Sequence, residues 1–373
     1  MKKLVGIVGG VVGQNPWDER CWSGSAKPFF RECHNAGFLH SAVGIEVPKL
    51  KKIQLLAENF AVKRASWRLK FNLDTSYYEE LTKSAERMLF EEVGHFDFLQ
   101  LGAIYNIPKI AKGLSQCFSY NDGNIACKMR SASFDKQYND IAIEAFEWEK
   151  KVNKNLTKIF TMSEYLRKSF IDDYGIAAER VVNIGVGMNF DIPGQIIKKY
   201  EHEPRNIVFI GIDFNRKGGY VLLEAFNNII QKHKSATLHI IGPETIHVTA
   251  SSNIVFHGFL EKTDPKFAEI LQQGDIAILP SLYEPFGISL LEMMAYGMPG
   301  IAPNSYAFPD MIMPNVSGLL IDDVSVEHIY NALDFYLSDP DKIKQHGIEA
   351  RKYVLHKYGW KQVAENILKE IAG

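Results

Sequence analysis

Glu284 and Glu292, with seven residues between them, are the side chains whose spacing points most directly to chemistry. Two carboxylates this close could share acid and base work across a scissile bond, as in glycoside hydrolysis. Alternatively they could hold two parts of one polar ligand, and the residues between them favour that second use. Pro285 keeps Glu284 out of helical dihedrals, so Glu284 belongs to a loop at the carboxyl end of the apolar run 275–281. Ser289 and Glu292 have the spacing of a capping box, which would put Glu292 in the first turn of a helix that Gly297 and Pro299 close. Phe286, Gly287, Ile288 and Ser289 would then present unpaired amides at a positive helix end, with Gly287 letting a ligand approach the backbone. A strand end that runs into a helix start is where an α/β sheet takes an anionic ligand.

Basic residues are placed to complement those amides. Gly211-Ile-Asp-Phe-Asn-Arg-Lys-Gly-Gly219 follows one apolar run and opens the helical pattern 219–233, which sets Arg216 and Lys217 where a diphosphate facing 286–289 could be clamped. In the N-terminal half, Gly24 in Trp22-Ser-Gly-Ser25 could offer an amide to a phosphate or a sugar. Asp122 follows the run 116–120 at a turn and could contact a sugar or an acceptor. Gly9, Gly10 and Gly13 follow the first apolar run without spelling G-x-G-x-x-G, so a dinucleotide fingerprint is unsupported. Asp339-Pro-Asp341 reads as a helix cap and not as a metal site. A divalent ion is not required where lysine, arginine and helix amides can stabilise a leaving diphosphate.

The stretch Glu284-Pro-Phe-Gly-Ile-Ser-Leu-Leu-Glu292 and the pair Lys217-Gly218 resemble the E-x7-E motif and the lysine-glycine loop of retaining nucleotide-sugar glycosyltransferases of glycosyltransferase family 4. Residues 161–187 are similar to the end of that family's N-terminal domain, where a serine-capped helix leads into a strand and an asparagine-glycine turn. The resemblance implies an α/β chain with the GT-B fold, two Rossmann-like, doubly wound parallel-sheet domains facing across a cleft. It also implies transfer of a sugar, with retention, from a UDP- or GDP-sugar to a hydroxyl of a glycan or lipid-linked acceptor, in cell-surface polysaccharide or glycoconjugate synthesis, with no further cofactor and no metal. By the same resemblance Glu292 would bind the ribose hydroxyls and Glu284 the transferred sugar. Lys217, Arg216 and the amides of Gly287, Ile288 and Ser289 would hold the diphosphate.

Two departures are visible. Ile212 stands where many family members carry an arginine, and Tyr306-Ala-Phe-Pro-Asp310 replaces a glycine-rich turn and a glutamate. They keep open a sugar-nucleotide-binding subunit that supports a partner enzyme. The same fold also serves phosphorylases and epimerases, a pyridoxal-dependent phosphorylase needing a cofactor-binding lysine.

The elements that must position these residues follow from apolar patterning. Runs at 4–10, 42–47, 96–101, 116–120 and 158–162, then 206–211, 237–242, 253–258 and 275–279, predict buried parallel strands. The periodicity at 134–152 and 219–233 predicts helices between them. At 373 residues the chain has room for two domains. They are expected at 1–195 and 196–355, joined through Pro193-Gly194 and the charged stretch 198–205, with a C-terminal helix at 356–373 crossing back onto the first.

Composition narrows the function classes. Hydrophobic residues at 46% with 23% charged describe a globular protein, and a net charge of -2 gives no global preference for nucleic acid. The apolar run after Lys2-Lys3 is too short for a signal peptide and is expected to be the first strand. Cys21, Cys33, Cys117 and Cys127 lack disulfide-framework or metal-ligand spacing, which fits a reducing cytoplasm. The segment 48–70 carries Lys49, Lys51, Lys52, Lys63, Arg64, Arg68 and Lys70 against the single acid Glu58, interleaved with Leu50, Ile53, Leu55, Leu56, Phe60 and Trp67. That composition suits either a solvated helical face or a peripheral contact with a membrane surface.

Overall fold

The computed structural model describes residues 2–9, 15–102, 104–131, 134–189, 205–243 and 251–372. Two compact units divide the chain, Met1–Asn189 together with Gly359–Gly373, and Phe190–Tyr358. The expected linker at 193–204 and the glycines at 10 and 13 lie outside the described residues.

The first unit holds strands β1 (Leu4–Gly9), β2 (Leu39–Ile45), β3 (Asp97–Leu101), β4 (Cys117–Asn121), β5 (Lys158–Thr161) and β6 (Val181–Asn183). They form one sheet in the order β2-β1-β3-β4-β5-β6, with every pairing parallel. Its helices are α1 (Ala26–Asn35), α2 (Lys49–Glu58), α3 (Arg64–Leu73), α4 (Thr75–Leu89), α5 (Ile107–Ala111), α6 (Ile125–Arg130), α7 (Asn139–Lys154) and α8 (Glu164–Asp172). β2 begins earlier than its apolar run because Leu39 pairs with Leu4. α7 starts later than its periodicity, since Asp135 caps a separate 3-10 turn at Lys136–Tyr138. Ser163 caps α8 by accepting from the Leu166 amide at 3.2 Å.

The second unit repeats the plan with β7 (Asn206–Ile210), β8 (Thr237–Ile241), β9 (Ile254–Phe256), β10 (Ile276–Ile278), β11 (Gly300–Pro303) and β12 (Gly318–Ile321). Its helices are α9 (Gly219–Lys232), α10 (Pro265–Gln273), α11 (Ile288–Ala295), α12 (Phe308–Met311), α13 (Val326–Leu337) and α14 (Pro340–Lys357). The parallel sheet runs β12-β11-β10-β7-β8-β9, so chain direction along the sheet reverses between β7 and β10. A reversal of that kind leaves a crevice at the carboxyl ends of the two central strands. Ile207, Val208, Phe209, Ile276, Ala277 and Ile278 are fully buried there, as strands covered on both faces require.

The last helix, α15 (Trp360–Ala372), packs on α1 within the first unit. The Trp360 indole donates to Asn189 Oδ1 at 3.2 Å, and Lys158 Nζ meets Glu370 Oε2 at 2.8 Å. Gly187 has no side chain because an added Cβ would fall into the Trp360 ring.

One buried acid makes the first unit's stability depend on pH. Glu149 on α7 accepts from the Ile125 amide at 2.9 Å and from the Tyr174 hydroxyl. Burial outweighs those bonds and the charge of Lys128, and pushes its carboxyl up from 4.5 to about 7. Between those values the folded chain holds a proton that the unfolded chain has released, so stability falls as pH rises. The loss approaches about 3 kcal/mol. Urea unfolding at pH 5 and pH 8 is expected to show a larger fall for wild type than for Glu149→Gln; equal falls would remove Glu149 as the cause.

Candidate functional site

The loop that leaves β7 and the loop that leaves β10 supply the charged cluster. Gly218, at φ 74, turns the first loop into α9, and an added Cβ would collide with the Pro280 carbonyl oxygen of the second. The Leu282 amide donates back to Arg216 O at 2.9 Å, tying the loops together. Through that close approach Lys217 Nζ forms an ion pair with Glu284 Oε2, while Arg216 lies 3.7 Å from the same oxygen and donates to Tyr283 O at 2.8 Å. Arg216 also pairs with Asp213 at 3.2 Å. Ser281 Oγ donates to Glu284 at 3.2 Å. Glu284 stands on the expected loop, yet it is 6% exposed, so its carboxylate is a desolvated partner of two cations and not a solvated loop acid.

The capping box is not formed. Gly287 at φ 88 is the residue that starts α11, with no side-chain cap. The left-handed turn brings Ser289 into the helix itself, and its hydroxyl donates to Ile210 O, at the end of β7, at 3.3 Å. Glu292 therefore does not reach back to the helix start. It lies inside α11, 1% exposed, and pairs with Lys262 from the loop after β9. Burial raises its carboxyl above the ordinary range, with Lys262 and Lys217 pulling the other way. Lys217 thus acts on both glutamates, bonded to Glu284 and felt through space by Glu292. Lys262 was not singled out by spacing or motif, because a lysine in a loop becomes informative only through the partner that the fold gives it.

Ile288 and Ser289 open α11, where amides have no intrahelical acceptor. Phe286 is 3% exposed and packs edge-on against Tyr358 at 6.2 Å between ring centres. Only its backbone remains for a ligand. Tyr306, at φ 56, donates to Leu282 O at 2.8 Å and braces Tyr283 at 5.3 Å. Tyr306 consequently supports the loop that carries Glu284. Ile212 is 68% exposed. Among the described residues no group of three or more His, Cys, Asp or Glu side chains could hold a metal ion.

Gly24 and Asp122 belong to the first unit. Trp22, Ser23 and Gly24 take φ values of 50, 56 and 87, a run of left-handed residues that only strong external bonding sustains. Asn189 provides it, donating to Ser23 O at 3.2 Å and to Ser25 Oγ at 2.9 Å, and is itself held by Trp360. Asp122 follows β4, at the turn where it was expected. It stays open to solvent, but the protein packed around it raises its carboxyl above the ordinary value by desolvation, with the polar hydrogens of Trp22 and the neighbouring backbone pulling the other way. The Trp22 ring leans on Tyr120 at 5.3 Å.

Residues 195–353 match the family model of group 1 glycosyl transferases. Over 228 residues the chain is 23% identical to the MMP alpha-(1->4)-mannosyltransferase of Mycolicibacterium hassiacum, covering 58% of this chain and 54% of that protein. It is 29% identical over 110 residues to the alpha-maltose-1-phosphate synthase of Mycolicibacterium smegmatis, covering 28% of each. The chain spans about half the length of the curated relatives it first matches, between 48% and 58% of each. Among solved structures, the sucrose-phosphate synthase of Thermosynechococcus elongatus superposes with a TM-score of 0.71 at 15% identity, covering 99% of this chain and 98% of that one. The Anabaena protein HepE, solved in complex with UDP and glucose, superposes with a TM-score of 0.66 at 15% identity and covers 100% of both. The fold is that of the GT-B glycosyltransferases, α/β with two Rossmann-like parallel sheets.

Proposed function

We propose that this chain is a retaining, metal-independent glycosyltransferase of the family 4 type. It moves a hexose-type unit from a nucleoside diphosphate sugar to a hydroxyl of a glycan or lipid-linked acceptor, in the synthesis of cell-surface polysaccharide or glycoconjugate. The observation that carries the reading is the meeting of Lys217, Arg216 and Glu284 at the β7/β10 reversal, beside the start of α11. The group 1 match over 195–353 supports it, as does a neighbour of the same fold solved with UDP and glucose.

The residues divide the work by charge. A diphosphate draws Lys217 and Arg216 away from Glu284 and takes the amides of Gly287, Ile288 and Ser289 at the positive end of α11. Released from its cations, Glu284 accepts hydrogen bonds from the hydroxyls of the sugar being moved. Glu292, buried within α11, receives the ribose together with its partner Lys262. When the bond from the anomeric carbon to the diphosphate oxygen breaks, charge grows on that oxygen, and preplaced cations and amides stabilise it. The acceptor oxygen bonds to the same face of the anomeric carbon, and its proton passes to the departing phosphate. In the first unit Asp122 is assigned to acceptor or sugar hydroxyls, and Gly24 to a backbone contact with donor phosphate or sugar. The first unit is taken as the acceptor side and the second as the donor side.

A screen of UDP-, GDP- and ADP-sugars with short glycan acceptors is expected to give release of one nucleoside diphosphate and a product of retained anomeric configuration. Within that assay Lys262→Ala should raise the KM for the donor about tenfold with kcat kept, because it removes a charged partner of the ribose-binding acid. Inversion in the product contradicts the mechanism, and an unchanged KM contradicts the role of Lys262. Ile212, exposed where an arginine is usual in the family, favours one second reading, a donor-binding subunit. Donor binding without turnover across the screen would select it.

A further inference from the structure

α2 wears its apolar side outward. Only Leu55 is fully buried in that helix, whereas Leu50 and Ile53 are 84% and 63% exposed, and Phe60 and Val62 in the turn to α3 are 62% and 93% exposed. Leu50, Ile53 and the exposed Ala57 recur at steps of three and four, which lines them along one side of the helix. A helix that faces water normally carries polar residues on that side. Lys49, Lys63, Arg64 and Arg68 flank the stripe in sequence and are exposed as well, and Glu58 is the only acid in 48–70.

The patch is held in place. Trp67 Nε1 donates to Leu56 O at 2.8 Å, which pins α3 against the end of α2, and Phe60 sits edge-on to Trp67 at 5.7 Å. Asn59 Nδ2 donates to Leu55 O at 2.9 Å. The exposed aliphatic and aromatic groups are thus carried on a fixed scaffold.

We propose that α2 and the turn into α3 dock on a lipid bilayer surface rich in anionic headgroups. Leu50, Ile53, Phe60 and Val62 would enter the headgroup boundary, and the lysines and arginines would take the headgroup phosphates. Charge selects this occupant over a second copy of the chain, since two such faces would bring like charges together. A nucleic acid would use the cations and leave the four apolar groups in water. No helix among the described residues is long and apolar enough to cross a membrane, so the contact is peripheral.

Cosedimentation of the full chain with phosphatidylcholine vesicles, with and without phosphatidylglycerol, tests this. Binding is expected only with phosphatidylglycerol present, and it should weaken as salt is raised. The variant Leu50→Ser/Ile53→Ser/Phe60→Ser should bind more than tenfold less, and each of Lys49→Gln, Lys63→Gln and Arg64→Gln about fivefold less. Thermal unfolding like wild type will show that these exposed positions leave the fold intact. Absence of binding to anionic vesicles overturns the proposal, as does binding by the triple serine variant equal to wild type. A dimer in sedimentation velocity that Leu50→Ser abolishes would assign the face to a second copy and also overturn it. Nucleotide binding plays no part in the assay, so its outcome is independent of the donor site.

Discussion

Lys217→Ala should lower kcat/KM for sugar transfer by about a hundredfold to a thousandfold, the usual loss when one preplaced donor to a developing oxyanion is removed. It should also destabilise the second unit. Glu284 is 6% exposed and, among the described residues, would keep only Arg216, at 3.7 Å, and the Ser281 hydroxyl. Stranding one member of a buried pair costs about 3–5 kcal/mol. The double variant Lys217→Ala/Glu284→Gln separates the two effects: it should recover most of the lost Tm, because no buried carboxylate remains, and recover none of the transfer. If the double variant restored transfer, Lys217 would be acting only as the structural partner of Glu284. If Lys217→Ala transferred like wild type, the phosphate-binding role would fall.

Gly218→Ala is expected to have the second largest effect, although it removes no charge. At φ 74 an alanine strains the backbone, and its Cβ would overlap the Pro280 carbonyl oxygen. Left-handed strain of about 1–2 kcal/mol and overpacking of about 1–3 kcal/mol together should lower the Tm by roughly 10 °C. Relief of the overlap must push the β7 loop from the β10 loop, and the bond between the Leu282 amide and Arg216 O is the link that parts. Lys217 and Glu284 then separate, so transfer should fall along with stability. Calorimetry and steady-state kinetics on the same preparation check this. A stable Gly218→Ala enzyme with full activity would mean that loop contact does not set the site.

Much of this arrangement was legible in the sequence because it rests on local rules. Buried parallel strands are continuous apolar runs, so β7, β8 and β10 stood out at 206–211, 237–242 and 275–279. The strands at Gly300–Pro303 and Gly318–Ile321 did not: each opens on a glycine and the first ends on a proline, so neither reads as a continuous apolar run. Pro285 correctly placed Glu284 on a loop. The error at Ser289 has a physical cause: a capping-box pattern and a left-handed glycine are rival ways to start a helix, and Gly287 took precedence. Glu292 is buried and pairs with Lys262, which lies thirty residues away in sequence. Contacts of that range depend on sheet order, which patterning does not supply. The same holds in the first unit, where the Trp22 ring meets Tyr120 only because β1 and β4 end on the same side of one parallel sheet.

The β7/β10 reversal is proposed to bind a nucleoside diphosphate through Lys217 and its neighbours. Thermal unfolding of wild type and of Lys217→Ala/Glu284→Gln with UDP, GDP, ADP and their sugars tests it most directly. At a hundred times its Kd a ligand stabilises the folded state by about 2.7 kcal/mol, so one nucleoside diphosphate should raise the wild-type Tm by several degrees and leave the double variant unmoved. A wild-type Tm that responds to none of these ligands, or a double variant that responds as strongly as wild type, would contradict the account.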